Sequence, residues 1–149
     1  MTHTANSIEI AAPARTIFAL AAATERWPEI LPHYRYVRVI ARDGAKRTLE
    51  MGALRDGIPI SWTAEQIDDA ARPSIRFHHI RGWTRGMDVE WRFETMEGGT
   101  RVTIEHWLQF AFPFASDWLG EHVVGKFFVH DVAGKTLARM KVLAEAAAS

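Results

Sequence analysis

Cysteine is absent from all 149 residues, which removes disulfides, thiolate metal sites and a cysteine nucleophile from consideration. There is no surplus of charge either. Lys and Arg total 18 and Asp and Glu total 18, so nothing points electrostatically to nucleic acid, and no acidic tail offers itself to a basic partner. No apolar run approaches the roughly 20 residues of a membrane-spanning helix. Met1 to Ser7 is polar and lacks the apolar stretch of a secretion signal. A soluble cytoplasmic protein without stable membrane insertion is therefore expected, and the length suits one domain over residues 1–149. Repeats, linkers and low-complexity segments are missing. No glycine-rich phosphate loop opens a helix. Ser61 and Ser74 lack a nucleophile elbow or triad setting. His78 and His79 are adjacent and would face opposite sides of a strand. His122 and His130 stand about two helical turns apart. With no His-x-x-x-His spacing or carboxylate triplet, neither a metal nor a cofactor is expected.

Large aromatics, by contrast, are plentiful. Six Trp and eight Phe suit a bulky core and equally a pocket for a flat or greasy ligand. Ser7 to Ala11 alternates as a short strand does, and Pro13 opens a helix over Ala14 to Ala22. Thr24 is placed to cap a second short helix, Glu25 to Leu31, stiffened by Pro28 and bounded by Pro32. Strands then follow in series with short turns between them: Tyr36 to Arg42, Lys46 to Leu54, Ile58 to Ile67, Ser74 to Arg81, Gly86 to Thr95 and Thr100 to Phe110. The layout is α+β, an antiparallel meander with helices on one face. Period two assigns the faces. Met87, Val89, Trp91 and Phe93 point inward, as do Val102, Ile104, His106, Leu108 and Phe110. So do Ile60, Trp62, Ala64 and Gln66, and Ile75, Phe77 and His79. The polar members of these apolar faces are Gln66, His79 and His106. Each would cost about 1–3 kcal/mol if buried without a partner, so water, a polar ligand or one another must satisfy them.

The last long pattern runs from Phe114 to Ala147, with Ser116 or Asp117 as its cap. Leu119, Val123, Phe127, His130, Gly134, Leu137, Met140 and Ala144 recur at three- and four-residue steps and share one helix face. Lys135, Arg139 and Lys141 sit toward the carboxyl end, where positive charge suits the helix dipole. The first half carries Gly120, Gly125 and Gly134, each costing roughly 1 kcal/mol in a helix interior, and has apolar residues off the main face. Two surroundings are implied, an open space or ligand at one end and a packed core at the other; an ordinary packing helix with a loose first turn is the alternative.

This order of elements resembles the START-like superfamily, known also for the birch-pollen-allergen fold, and within it the polyketide aromatase/cyclases. The likeness runs from about Asn6 to Glu145. It is carried by Ile8-Glu9-Ile10-Ala11-Ala12-Pro13 before the first helix, Trp27-Pro28-Glu29 before Tyr34, Gly98-Gly99-Thr100 before the last strand, and Leu137-x-x-Met140-Lys141 at the end. The resemblance implies a helix-grip fold: a curved, seven-stranded antiparallel sheet wrapped around a long C-terminal helix, with two short helices between strands 1 and 2 and an elongated cavity inside. It implies a hydrophobic small-molecule ligand, aromatic, polyketide-like or lipid. The activity would be polyketide cyclisation and dehydration, with an acyl carrier protein as a partner, or else lipid or quinone carriage without catalysis. Monomer and homodimer both stay open.

By the same resemblance, Trp27, Tyr34 and Trp62 fall where pocket aromatics are expected, and Gln66 falls where the cyclases carry an arginine. An amide can hydrogen-bond a carbonyl but supplies no full positive charge. Phe77 and Trp91 join the expected lining from their inward faces, Trp83 from a turn at the cavity mouth, and Leu119, Val123, Phe127 and His130 from the terminal helix. His79 and His106 are the acid/base candidates, because an unperturbed imidazole titrates near neutrality. Tyr34 could donate a phenolic proton. An inward histidine is also an ordinary hydrogen-bonded core residue, and the sequence leaves both readings standing. Arg47 and Arg55 could meet an anionic headgroup at a strand end or lie on a solvated rim.

Overall fold

The computed structural model describes residues 2–82, 84–108 and 130–149. In chain order these form β1 (Thr2–Ile10), α1 (Ala14–Ala22), a 3₁₀ turn (Thr24–Arg26), α2 (Trp27–Ile30), β2 (Tyr34–Asp43), β3 (Lys46–Arg55), β4 (Ile58–Asp69), β5 (Ser74–Gly82), β6 (Asp88–Met96), β7 (Gly99–Leu108) and α3 (His130–Ala148). The seven strands make one antiparallel sheet in the order β1-β7-β6-β5-β4-β3-β2. With three α-helices among the described residues, the last at the C-terminus, this is the helix-grip α+β architecture. Among the described residues no helix is long and apolar enough to cross a membrane.

Local chemistry explains the strand order. Asp56 and Gly57 both have positive φ, 48° and 80°, as a tight type I′ hairpin between β3 and β4 requires. Gly99 starts β7 where a Cβ would lie 2.2 Å from the Ile10 carbonyl, so only glycine lets β1 close on β7. Register shifts between Tyr34 and Tyr36, Val39 and Ala41, and Thr63 and Ala64 are the irregularities that bend a sheet. β1 is longer than the sequence suggests. It pairs with β7 from Thr2↔Leu108 to Ile10↔Thr100, and its first half, being polar, gives no alternation of hydrophobicity to read.

The buried face of α3 is Val132, Ala133, Thr136, Leu137, Met140 and Ala144. Leu137, Met140 and Ala144 match the sequence pattern, but the stripe is rotated at its start, because His130 is exposed and Gly134 only half-buried. Alanines and glycine carry little directional hydrophobicity, so packing against β1 and α1 sets the face. Polar straps hold the helix down: Lys141 Nζ donates to the Glu9 carbonyl at 2.9 Å, the Ala11 N–H to Glu145 Oε2 at 2.9 Å, and Arg139 Nε to the Ile30 carbonyl at 3.1 Å. The expected helix start from Phe114 lies outside the described residues.

The second short helix is a 3₁₀ turn followed by a single α-turn. Thr24 does not cap it. Thr24 sits inside the 3₁₀ turn, fully buried, and its hydroxyl donates to Gln66 Oε1 at 2.7 Å.

Candidate functional site

Between the sheet and the helices lies a cavity walled mainly by apolar and aromatic side chains. α2 and the start of β2 contribute Trp27 and Tyr34; β3 and β4, Met51 and Trp62; β5, Phe77 and His79; β7, Ile104 and His106; α3, Val132, Ala133 and Thr136. Met87, Val89 and Trp91 complete the described lining. Where a strand contributes two residues they alternate, as in Phe77 and His79, Val89 and Trp91, and Ile104 and His106, as the pleat requires. Its volume is about 60 Å³, room for a few waters against the roughly 300–1,000 Å³ of drug-sized sites. A larger guest must displace side chains, and Met51 and Met87 are the unbranched, adaptable ones in the wall.

Trp27 is the hub of the aromatic lining. Its ring meets Tyr34 at 5.0 Å and 71°, Trp91 at 5.8 Å and Phe77 at 6.0 Å, while its indole N–H donates to the Ala21 carbonyl at 3.2 Å. Tyr34 continues edge-on to Trp62 at 6.1 Å, and Trp62 stacks on His79 at 5.7 Å and 7°. Edge and offset-stacked geometries of this kind are those aromatic rings favour.

His79 is fixed on both backbone and side chain. Its N–H donates to the Met87 carbonyl and its carbonyl accepts from Gly86, both at 2.8 Å. Its Nδ1 meets Thr84 Oγ1 at 2.6 Å. Burial, with His106 and His78 nearby, lowers its pKa to about 3. His106, on β7 opposite Val89, is also held down to about 3 by burial and by His3. Its Nδ1 has no hydrogen-bond partner among the described residues. The Tyr34 phenol is pushed up by burial, with the Thr136 hydroxyl opposing the shift, and so stays protonated near neutral pH. Thr136 donates to the Val132 carbonyl at 2.7 Å and meets His33 Nε2 at 2.9 Å. Burial and Lys135 lower His33 to about 4. Neither His33 nor Thr136 was marked by sequence. His33 carries no alternation signal, and nothing in the helix pattern singles out Thr136.

Seven of the residues marked by sequence, Trp27, Tyr34, Trp62, Phe77, His79, Trp91 and His106, come together in this wall. Gln66 and His130 do not. Gln66 is fully buried, but besides accepting from Thr24 it donates to the Ala22 carbonyl at 3.2 Å and to Asp68 Oδ1 at 2.8 Å. All its donors are used, which leaves none for a guest. Arg47 seals the same junction on Asp68 at 3.0 Å, the Ala22 carbonyl at 2.8 Å and Glu25. It is a structural cation rather than one presented to the cavity. Arg55 pairs with Asp131 at 3.6 Å and joins β3 to the start of α3. His130 is exposed and meets Asn6. Trp83, Leu119, Val123 and Phe127 lie outside the described residues. Among the described residues, no cluster of three or more His, Asp or Glu side chains is placed to hold a metal ion.

Comparison with known proteins gives a consistent set of likenesses. The family described as "Polyketide cyclase / dehydrase and lipid transport" matches residues 10–141. A Streptomyces cyaneus protein assigned as a polyketide cyclase is 32% identical over 110 residues, 72% of this chain and 70% of that one. One from Streptomyces halstedii is 32% identical over 100 residues, 64% of this chain and 92% of that one. Among solved structures, the Zhui aromatase/cyclase from Streptomyces sp. R1128 superposes with a TM-score of 0.82 at 19% identity, covering 97% of this chain and 93% of that one, a likeness of fold.

Proposed function

The chain belongs to the polyketide cyclase/dehydrase and lipid transport family, and from that premise we propose that its cavity takes up a hydrophobic aromatic or polyketide-like molecule, with His79, His106 and Tyr34 serving its cyclisation and dehydration. The observation that carries this reading is the placement of two neutral imidazoles and a protonated phenol in one otherwise apolar, aromatic wall.

An aldol cyclisation needs a base for a carbon flanked by carbonyls, a donor for the carbonyl under attack, and a proton for the hydroxyl that leaves as water. With Nδ1–H donated to Thr84, His79 keeps a lone pair on Nε2 and can take the proton. An imidazole lowered to about 3 is a weak base until an enolate forms beside it, and that negative charge then favours the imidazolium. The enolate carbon bonds to the second carbonyl carbon, whose oxygen accepts a proton from Tyr34. Imidazolium returns a proton to the hydroxyl that departs as water, and the Tyr34 phenolate takes the proton lost from the neighbouring carbon, which completes the double bond and restores the phenol. An acyl carrier protein would present the chain.

Presenting a linear poly-β-ketone thioester and following the products by mass spectrometry tests the proposal. A cyclised product one water lighter is expected, with the rate lowered about 10²-fold or more in His79→Ala and Tyr34→Phe. Equal rates in both variants and the parent would exclude the catalytic assignment.

A specific observation favours a second reading, carriage of an unaltered lipid or quinone. No Lys, Arg, Asp or Glu stands among the described lining residues, which suits an uncharged guest and offers no cation for an enolate. Recovery of one unmodified molecule from protein purified from its own host, with no turnover, would decide for carriage.

A further inference from the structure

Three buried polar atoms around the β1–β7 pairing have no hydrogen-bond partner among the described residues: Thr4 Oγ1, Asn6 Oδ1 and His106 Nδ1. Register makes them neighbours. Thr4 lies directly opposite His106, and Asn6 opposite Ile104. Thr4 and Asn6 alternate with exposed neighbours, so they share the inward face of β1. Residues directly opposite in an antiparallel pair hold their Cβ atoms about 4.5–5.5 Å apart, and residues two apart on a strand lie about 6.8 Å apart. One small group can therefore reach two or three of these atoms. Thr4 and His106 face one another without bonding, so the polar atoms of both stay open to a third party. Native interiors pair some 90% or more of their buried polar groups, so three orphans in one place are not the signature of a packed core. His106 is 9% exposed and belongs to the cavity wall, so the cluster adjoins the cavity where β1 pairs with β7.

The hydrogen-bonding inventory selects the guest. Asn6 Nδ2 is committed to His130 Nδ1 at 3.2 Å, and its free Oδ1 can only accept. Thr4 can donate or accept, and His106 Nδ1 does one or the other by tautomer. A carbonyl in this spot would leave the Asn6 oxygen unsatisfied; a methyl group would leave all three. A hydroxyl donates to Asn6 or His106 while accepting from Thr4. We infer that Thr4, Asn6 and His106 form a polar subsite, beside the β1–β7 pairing, that takes a phenolic or enolic hydroxyl of an otherwise apolar guest, and so sets which end of that guest is innermost. This rests on the reading that the cavity takes a small molecule.

Calorimetric titration with 2-naphthol and 2-methylnaphthalene, matched in shape and differing by hydroxyl against methyl, tests it. The parent protein should bind the naphthol about fivefold more tightly or better, the worth of roughly one net hydrogen bond. Thr4→Val should bring the ratio close to one, and Thr4→Ser should keep it. Thermal melting gives an independent readout: Thr4→Val should melt at or above the parent, because it removes an orphaned hydroxyl. Equal affinity of the parent for both compounds, or a Thr4→Val variant that melts several degrees lower, overturns the subsite and leaves the cavity reading intact. Binding of neither compound by the parent defeats the cavity reading instead.

Discussion

Burying an imidazole favours its neutral form, and for His79 and His106 the pKa falls to about 3 against 6.5 in an exposed chain. Between those values the unfolded chain binds the proton and the folded one does not. Stability from these groups is therefore complete above about pH 6.5 and drains away as the pH drops toward 3. At about 1.36 kcal/mol per pH unit, each costs about 2 kcal/mol by pH 5. Urea unfolding at pH 7.5 and pH 5 should show that loss, and His79→Asn, which can still bond Thr84, should remove the share of His79, about 2 kcal/mol. A pH-independent midpoint would contradict the burial of both rings. The family resemblance marked Tyr34, but sequence alternation by itself sufficed to turn His79 and His106 inward, because a strand's period is fixed by its pleat. It could not say that Gln66, equally inward, is taken up by Thr24, Ala22 and Asp68, since two of those three partners come from another part of the chain.

At the scale of elements, the 3₁₀ turn is tied to β3 and β4 by a polar network that joins Thr24, Glu25, Arg47, Gln66 and Asp68. Thr24→Val keeps the shape of the side chain and leaves Gln66 Oε1 buried without a donor, a cost of about 1–3 kcal/mol. A melting point lower by roughly 2–4 °C per kcal/mol is expected for a chain of this size, with Thr24→Ser close to the parent. No shift in Thr24→Val would mean that water reaches the amide. The strands, their turns and α1 were legible because local periodicity and Asp-Gly or Gly-Gly punctuation mark them. β1 before Ser7 was not, since Thr2 to Asn6 is held by pairing with β7 rather than by any hydrophobic pattern. The inward face of α3 was legible toward its carboxyl end, at Leu137, Met140 and Ala144, and not at its start.

For the molecule as a whole, the decisive quantity is how the cavity of about 60 Å³ answers a guest. If the wall gives way at Met51 and Met87, a bound naphthol raises the melting point with its concentration. About 2.7 kcal/mol is expected at a hundred times the dissociation constant, and the methyl resonances of those two methionines should move. Unchanged melting at saturating guest would mean that the wall does not yield. Sequence alone determined the class of fold, the absence of thiol chemistry, the neutral charge and the inward faces of the four strands from Ile58 onward, because these depend on composition and on periods of two or about 3.6 residues. Tertiary structure decided which inward polar groups are already satisfied and which are left open. Thr24 and Asp68 close Gln66, whereas Thr4 faces His106 without bonding it. That distinction arises from side chains meeting across the sheet from distant parts of the chain, and no local pattern encodes such meetings.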